Sequence, residues 1–162
     1  MKPAGPTGRP GQKTVRVSAT ARIRASREQV WAVLTDFSSM HRWFAGLTAV
    51  RLEGPPKVGA QRLVTFVGGL THRETVTAWQ PRSHLALVAP GASGPIAPGA
   101  TVDIHLSDEG ERVRLDWAIE HRLEIGRLLS ALSRPVDRGL VGSALRLSLV
   151  RLKRRAEAAG RN

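Results

Sequence analysis

The chain contains no cysteine and no tyrosine. Without thiols there can be no disulfide, no thiolate nucleophile and no cysteine-ligated metal, a composition suited to a reducing compartment, so a cytoplasmic location is expected. Aromatic residues are sparse, limited to Trp31, Trp43, Trp79, Trp117, Phe37, Phe44 and Phe66. The interleaved aromatic platforms on which single-stranded nucleic acids stack are therefore missing. No run of about 18 apolar residues exists, which excludes a membrane-spanning helix of ordinary length; the longest candidate, Leu140 to Val150, is short and contains Arg146. The opening MKPAGPTGRPGQK is basic and rich in proline and glycine and has no apolar leader stretch. Residues 1–12 read as a disordered tail ahead of one folded unit over residues 13–159.

Positive charge is abundant, with a formal net charge of +12, and such a balance invites a nucleic-acid or anionic-membrane partner. Its make-up argues the other way. Apart from Lys2, Lys13, Lys57 and Lys153 the cations are arginines scattered over strands and turns, as a GC-rich coding background produces. The dense cluster is Arg151, Lys153, Arg154 and Arg155. It is either a solvated helix end favoured by the helix dipole or a weak contact for anionic surfaces. No specific nucleic-acid partner is expected.

The order of local patterns is more informative. Val15, Val17, Ala19, Ala21 and Ile23 alternate with Arg16, Ser18, Thr20, Arg22 and Arg24, which predicts a half-buried strand. Ser26 followed by Gln29 forms a capping box, and Val30, Val33, Leu34 and Phe37 lie on one helical face beside Trp31. Asp36 can cap a second short helix ending near Arg42. Strands are then expected over 48–53, 60–67, 70–79, 84–89, 101–107 and 112–122, separated by Gly54-Pro55-Pro56, Gly68-Gly69, Pro81-Arg82-Ser83 and Asp108-Glu109-Gly110. Connections this short favour an antiparallel meander, with a tight primed turn at Gly68-Gly69. Pro90 to Gly99 is a Gly/Pro loop, either plain variation or a mobile rim over a site. Leu128, Leu129 and Leu132 begin a helical period that Pro135 interrupts, either by starting a new helix or by kinking one. Val136, Leu140, Ala144, Leu145, Leu149 and Leu152 continue the stripe. Gly139, Gly142 and Ser143 either reflect composition or allow a close approach.

The alternating strand ending in RASREQVWAVLTDF, then MHRWF, then RETVTAWQPRSHL, resembles the START-like superfamily also labelled SRPBCC, within its polyketide cyclase/dehydrase and lipid transport group. The likeness extends from Thr14 to about Glu157. It implies an α+β helix-grip fold: a curved antiparallel sheet wrapped around a long C-terminal helix, with short helices between the first and second strands. It also implies an apolar cavity between sheet and helix that holds a lipid, polyketide or other hydrophobic or amphipathic ligand. In a minority of such proteins the held ligand reacts.

Within that frame, Trp31, Phe37, Trp43, Phe66, Trp117, Leu140 and Ala144 are candidate walls, and His72, Glu74 and His121 candidate polar handles. His72 and Glu74 share one strand face with Leu70, Val76 and Ala78. They either form an acid/base or ligand-orienting pair, or sit at a rim or pair with an arginine. His121 ends an apolar face as a core, rim or ligand-contacting histidine. His105 is expected to be exposed, and His41 and His84 have no evident partner. No metal or other cofactor is expected, since the His-x-Glu pair supplies only two ligands of a site that needs three or four. Gly91-Ala92-Ser93-Gly94 misses the nucleophile elbow, and Ala60 stands where a phosphate-binding loop needs lysine. The expected function is binding, transport or sequestration of a small hydrophobic ligand. The alternatives are a polyketide aromatase/cyclase-type enzyme and a basic interaction module for anionic membrane or RNA.

Overall fold

The computed structural model describes residues 14–91, 99–122 and 130–160, with the side chains of α2 described from Gly139 onward except Leu140. The elements are β1 (Thr14–Ile23), α1 (Arg27–Thr35), a 3₁₀ turn (Phe37–Arg42), β2 (Leu47–Glu53), β3 (Gln61–Phe66), β4 (Thr71–Gln80), β5 (His84–Ala89), β6 (Ala100–Glu109), β7 (Arg112–Arg122) and α2 (Ser130–Ala159). The strands form one seven-stranded sheet in the order β1-β7-β6-β5-β4-β3-β2, every pairing antiparallel. This is the helix-grip arrangement. The expected tail over residues 1–12 and most of the Gly/Pro loop, residues 92–98, lie outside the described residues, as do Leu128 and Leu129.

Because β1 and β2 occupy opposite sheet edges, the segment between them must carry the chain from one edge to the other. It does so with α1, which packs against α2, and the 3₁₀ turn, which packs against β2. The Ser26 hydroxyl accepts from the Gln29 N–H at 3.2 Å while Gln29 Oε1 accepts from the Ser26 N–H at 2.8 Å. Two of the orphan donors at the helix start are thereby satisfied. Asp36 caps the following turn through the Ser39 N–H. We expect Ser26→Ala to lower unfolding free energy by about 1 kcal/mol, measured by urea denaturation, with no change in sheet content by circular dichroism.

Period-two alternation places Val15, Val17, Val76, Leu85, Leu87, Ile104, Leu106, Val113, Leu115 and Trp117 in the core, opposite Leu145, Leu149, Leu152 and Ala156 of α2. The expected two-residue primed turn is instead a three-residue loop: the Phe66 N–H donates to the Leu70 carbonyl at 2.8 Å, the Gly69 N–H donates to the Phe66 carbonyl at 3.0 Å, and Gly68 and Gly69 take positive φ, 90° and 81°. Gly142 is buried against β1, but a Cβ there would lie 3.7 Å from Val17 Cγ1, so the close approach does not require glycine. Two strands depart from simple alternation, β2 with a register shift between Leu47 and Ala49 and β4. The β4–β5 register shifts between Val76 and Ala78, so a bulge carries Trp79 onto the face that Glu74 and Val76 also use. Trp79 there meets Trp31 edge-on at 5.3 Å and Phe37 at 6.4 Å.

Candidate ligand pocket

Between the β2–β7 part of the sheet, the turn after the 3₁₀ segment and α2 lies a pocket of about 410 Å³. Its wall is largely apolar, with Phe44, Val64, Val102, Ile119 and Val141 among its residues. Ser148, fully buried on α2, fixes the rim: its hydroxyl accepts from the Ala45 N–H at 2.9 Å and donates to the Ala144 carbonyl at 2.6 Å. A wider depression of about 630 Å³ is lined by charged groups from the β1–α1 and β6–β7 connections, of which Arg27 pairs with Asp108 at 2.8 Å and Glu28 with Arg82 at 2.9 Å.

The polar part of the pocket is a buried three-residue chain across β3 and β4. Arg62 stands directly opposite Glu74 in the ladder. Its Nε–H donates to Glu74 Oε2 at 2.5 Å, and His72 Nε2 lies 2.8 Å from Glu74 Oε1. The side chains of all three are at least nine-tenths buried. Burial opposes ionisation of Glu74, but the Arg62 charge and the His72 contact outweigh it and hold the carboxyl at about 2. An ionised carboxylate only accepts hydrogen bonds, so His72 must carry its proton on Nε2. In the neutral ring Nδ1 is then a lone-pair acceptor, and it is buried without a hydrogen-bond partner. The indole Nε1–H of Trp117, another pocket residue, is also buried without a partner.

The structure brings together Phe66, His72, Glu74, Trp117, His121 and Ala144 around the pocket. The Phe66 and His72 rings sit 5.1 Å apart, and His121 is buried at the end of β7. Three expected walls lie elsewhere. Trp43 is wholly buried behind the pocket, edge-on to Phe44 and Trp117 at 6.0 and 6.1 Å. Trp31 packs on Trp79, and Phe37 lies beneath Arg62, whose guanidinium carbon is 5.0 Å from the ring centre. Trp43 and Phe37 support the pocket from behind, through contacts with its lining residues Phe44, Trp117 and Arg62. The Leu140 side chain lies outside the described ones. On α2, Arg151, Arg154 and Arg155 are exposed, while Lys153 donates to the Arg22 carbonyl at 2.7 Å.

Arg62 escapes the sequence reading, since an arginine in an arginine-rich chain reads as surface. The available signal was its phase: it alternates in step with Ala60 and Val64, both core residues. No helix among the described residues is long and apolar enough to cross a membrane.

A family model described as polyketide cyclase/dehydrase and lipid transport matches residues 14–157. No curated protein matches by sequence. Among solved structures, the chain is similar to TTHA0849 from Thermus thermophilus, with a TM-score of 0.76 at 17% identity, covering 90% of this chain and 99% of that one. It is also similar to the Zhui aromatase/cyclase from a Streptomyces species, with a TM-score of 0.69 at 17% identity over 91% and 99% of the two chains. The di-domain aromatase/cyclase StfQ of the steffimycin biosynthetic pathway gives 0.76 at 12% identity, over 92% of this chain and 52% of that one. Identities this low carry the likeness of fold alone.

Proposed function

The chain belongs to the polyketide cyclase/dehydrase and lipid transport family, and from that premise we propose that it binds a small hydrophobic or amphipathic ligand, of lipid or polyketide character, in the pocket between sheet and α2. The observation that carries this reading is a largely apolar pocket of about 410 Å³ whose lining residues include two buried polar atoms without a partner, His72 Nδ1 and Trp117 Nε1. A buried polar atom without a partner costs about 1–3 kcal/mol. Ligand oxygens at these two atoms would relieve that cost while the apolar body fills a volume in the ordinary range for small-molecule sites. A hydroxyl serves His72 and a carbonyl or hydroxyl serves Trp117, which fits an oxygenated, chain-like or fused-ring molecule better than a plain hydrocarbon. Native mass spectrometry of the protein purified from its own host is expected to show a retained organic mass that solvent extraction removes. A ligand-free mass, together with no saturable uptake of fluorescent fatty acids or aromatic polyketides, would sink the proposal.

One feature favours a second reading, chemistry on the bound ligand. An ionised Glu74 holding the Nε2–H of His72 leaves the Nδ1 lone pair unpartnered beside the pocket, and a small turn of the ring would present it as a general base oriented by a carboxylate. Under this reading His72 would accept a proton from an acidic C–H between two ketones, as an aromatase/cyclase-type reaction requires. His72→Ala should then abolish turnover of a poly-β-ketone while fluorescent-ligand binding survives. Unchanged turnover would leave binding as the function.

A further inference from the structure

On the face of the sheet opposite the pocket, three metal-ligating side chains from neighbouring strands converge. His84 of β5 stands directly opposite His105 of β6 in the ladder. Asp103 lies two residues from His105 and therefore on the same face. The imidazole rings stack at 4.1 Å between centroids and 9° between planes. Both point Nε2 at one carboxylate, His84 at 2.7 Å from Oδ1 and His105 at 3.3 Å from Oδ2. All three donor atoms lie within 4.8 Å of one another. From these observations we infer that His84, Asp103 and His105 form a binding site for one divalent first-row transition ion, a cation such as zinc that takes imidazole nitrogen and carboxylate oxygen together.

The distances suit such an ion. Bonds of about 2.0–2.1 Å in tetrahedral geometry place ligand atoms about 3.3 Å from each other, close to the two nitrogen–oxygen spacings of 2.7 and 3.3 Å, and the stacked rings need to turn out of parallel for both Nε2 lone pairs to meet at one ion. Imidazole donors favour zinc, copper and nickel over magnesium or calcium, which prefer sets made wholly of oxygen. Neutral imidazoles need only move their proton to Nδ1 to offer Nε2 to the ion. Room is available, because the ladder partners of Asp103 are Ala86 on β5 and Ala118 on β7. Three protein ligands leave the fourth position to water. A search within single strands does not reveal the set, since its histidines come from different strands and only ladder pairing joins them. Ligation would tie β5 to β6 in the middle of the sheet and is independent of the pocket.

Full-length untagged protein titrated with zinc chloride in a calorimeter should take up one equivalent. The cobalt(II) complex should show the visible absorption of a low-coordinate nitrogen/oxygen site. Both signals should disappear in His84→Ala/His105→Ala and persist in His72→Ala, which alters only the pocket. In the wild-type protein, cobalt should broaden the imidazole proton resonances of His84 and His105 and leave those of His72 and His121 sharp, a readout that does not depend on any variant folding. Absence of saturable uptake, uptake equal in the double variant, or broadening confined to other histidines would each overturn the assignment.

Discussion

Replacing Glu74 with glutamine is expected to destabilise the protein by about 3–5 kcal/mol, which at this chain length corresponds to a drop of roughly 10 °C in melting temperature. The reason is the environment of Arg62. Its guanidinium is 4% exposed as a residue and balanced by the Glu74 carboxylate opposite it. Glutamine keeps a carbonyl acceptor of similar shape but leaves a buried cation without its counter-charge. Removing that charge as well, in Arg62→Met/Glu74→Gln, should recover most of the loss, since apolar replacement of a buried pair is often neutral or better. Urea denaturation of the three proteins checks both statements. A cost under about 1 kcal/mol for Glu74→Gln, the size of an exposed pair, would mean that the pair is solvated in solution.

The same pair governs the acid limb of stability. Glu74 titrates at about 2 in the folded protein against an ordinary value of 4.5. A carboxyl depressed in this way stabilises the fold fully above the ordinary value and loses that contribution as pH falls toward 2. Its size is on the order of 3 kcal/mol. Urea midpoints measured down this range should fall less steeply in Arg62→Met/Glu74→Gln than in the wild-type protein.

The second large effect concerns the pocket itself. Ala144→Phe places a ring from α2 into a space of about 410 Å³ and should weaken binding of a hydrophobic ligand about a hundredfold or more. Excluding a ligand portion of phenyl size removes up to about 3 kcal/mol of apolar burial. Stability should hold or rise, because the ring fills space rather than displacing core. Ser143→Gln, one position away on the exposed side of the same helix, should bind normally. Fluorescence titration with a fatty-acid or polyketide-like dye distinguishes them. Equal affinity in Ala144→Phe would place the ligand somewhere else on the molecule.

Structural support of the pocket and direct contact with its contents fall to different aromatics. Trp43 and Phe37 hold the wall in place without facing the pocket, while Phe66, Trp117 and Phe44 face it. Truncating the first group should act through stability, and truncating the second through affinity.

Much of the fold was legible in the sequence because its determinants are local. Alternation along β1, the Ser26/Gln29 capping box, and the glycine pair at the β3–β4 turn each act through residues two to four positions apart. Short connections then leave an antiparallel meander as the economical topology. The lining of the candidate pocket was legible in part: His72, Glu74, Phe66, Trp117 and His121 follow from strand phase, Ala144 from helical period, and all of them from the family likeness. What sequence could not supply was everything that depends on which strand lies beside which. The β4 bulge reverses the phase at Trp79, and an edge-to-edge crossover sends Trp31 away from the pocket. Ladder register sets Arg62 against Glu74 and His84 against His105. Residues so far apart in the chain interact only once backbone pairing has chosen their neighbours. Outside the bulged strands, alternation therefore determined which side chains point inward, and tertiary pairing alone decided which of them meet.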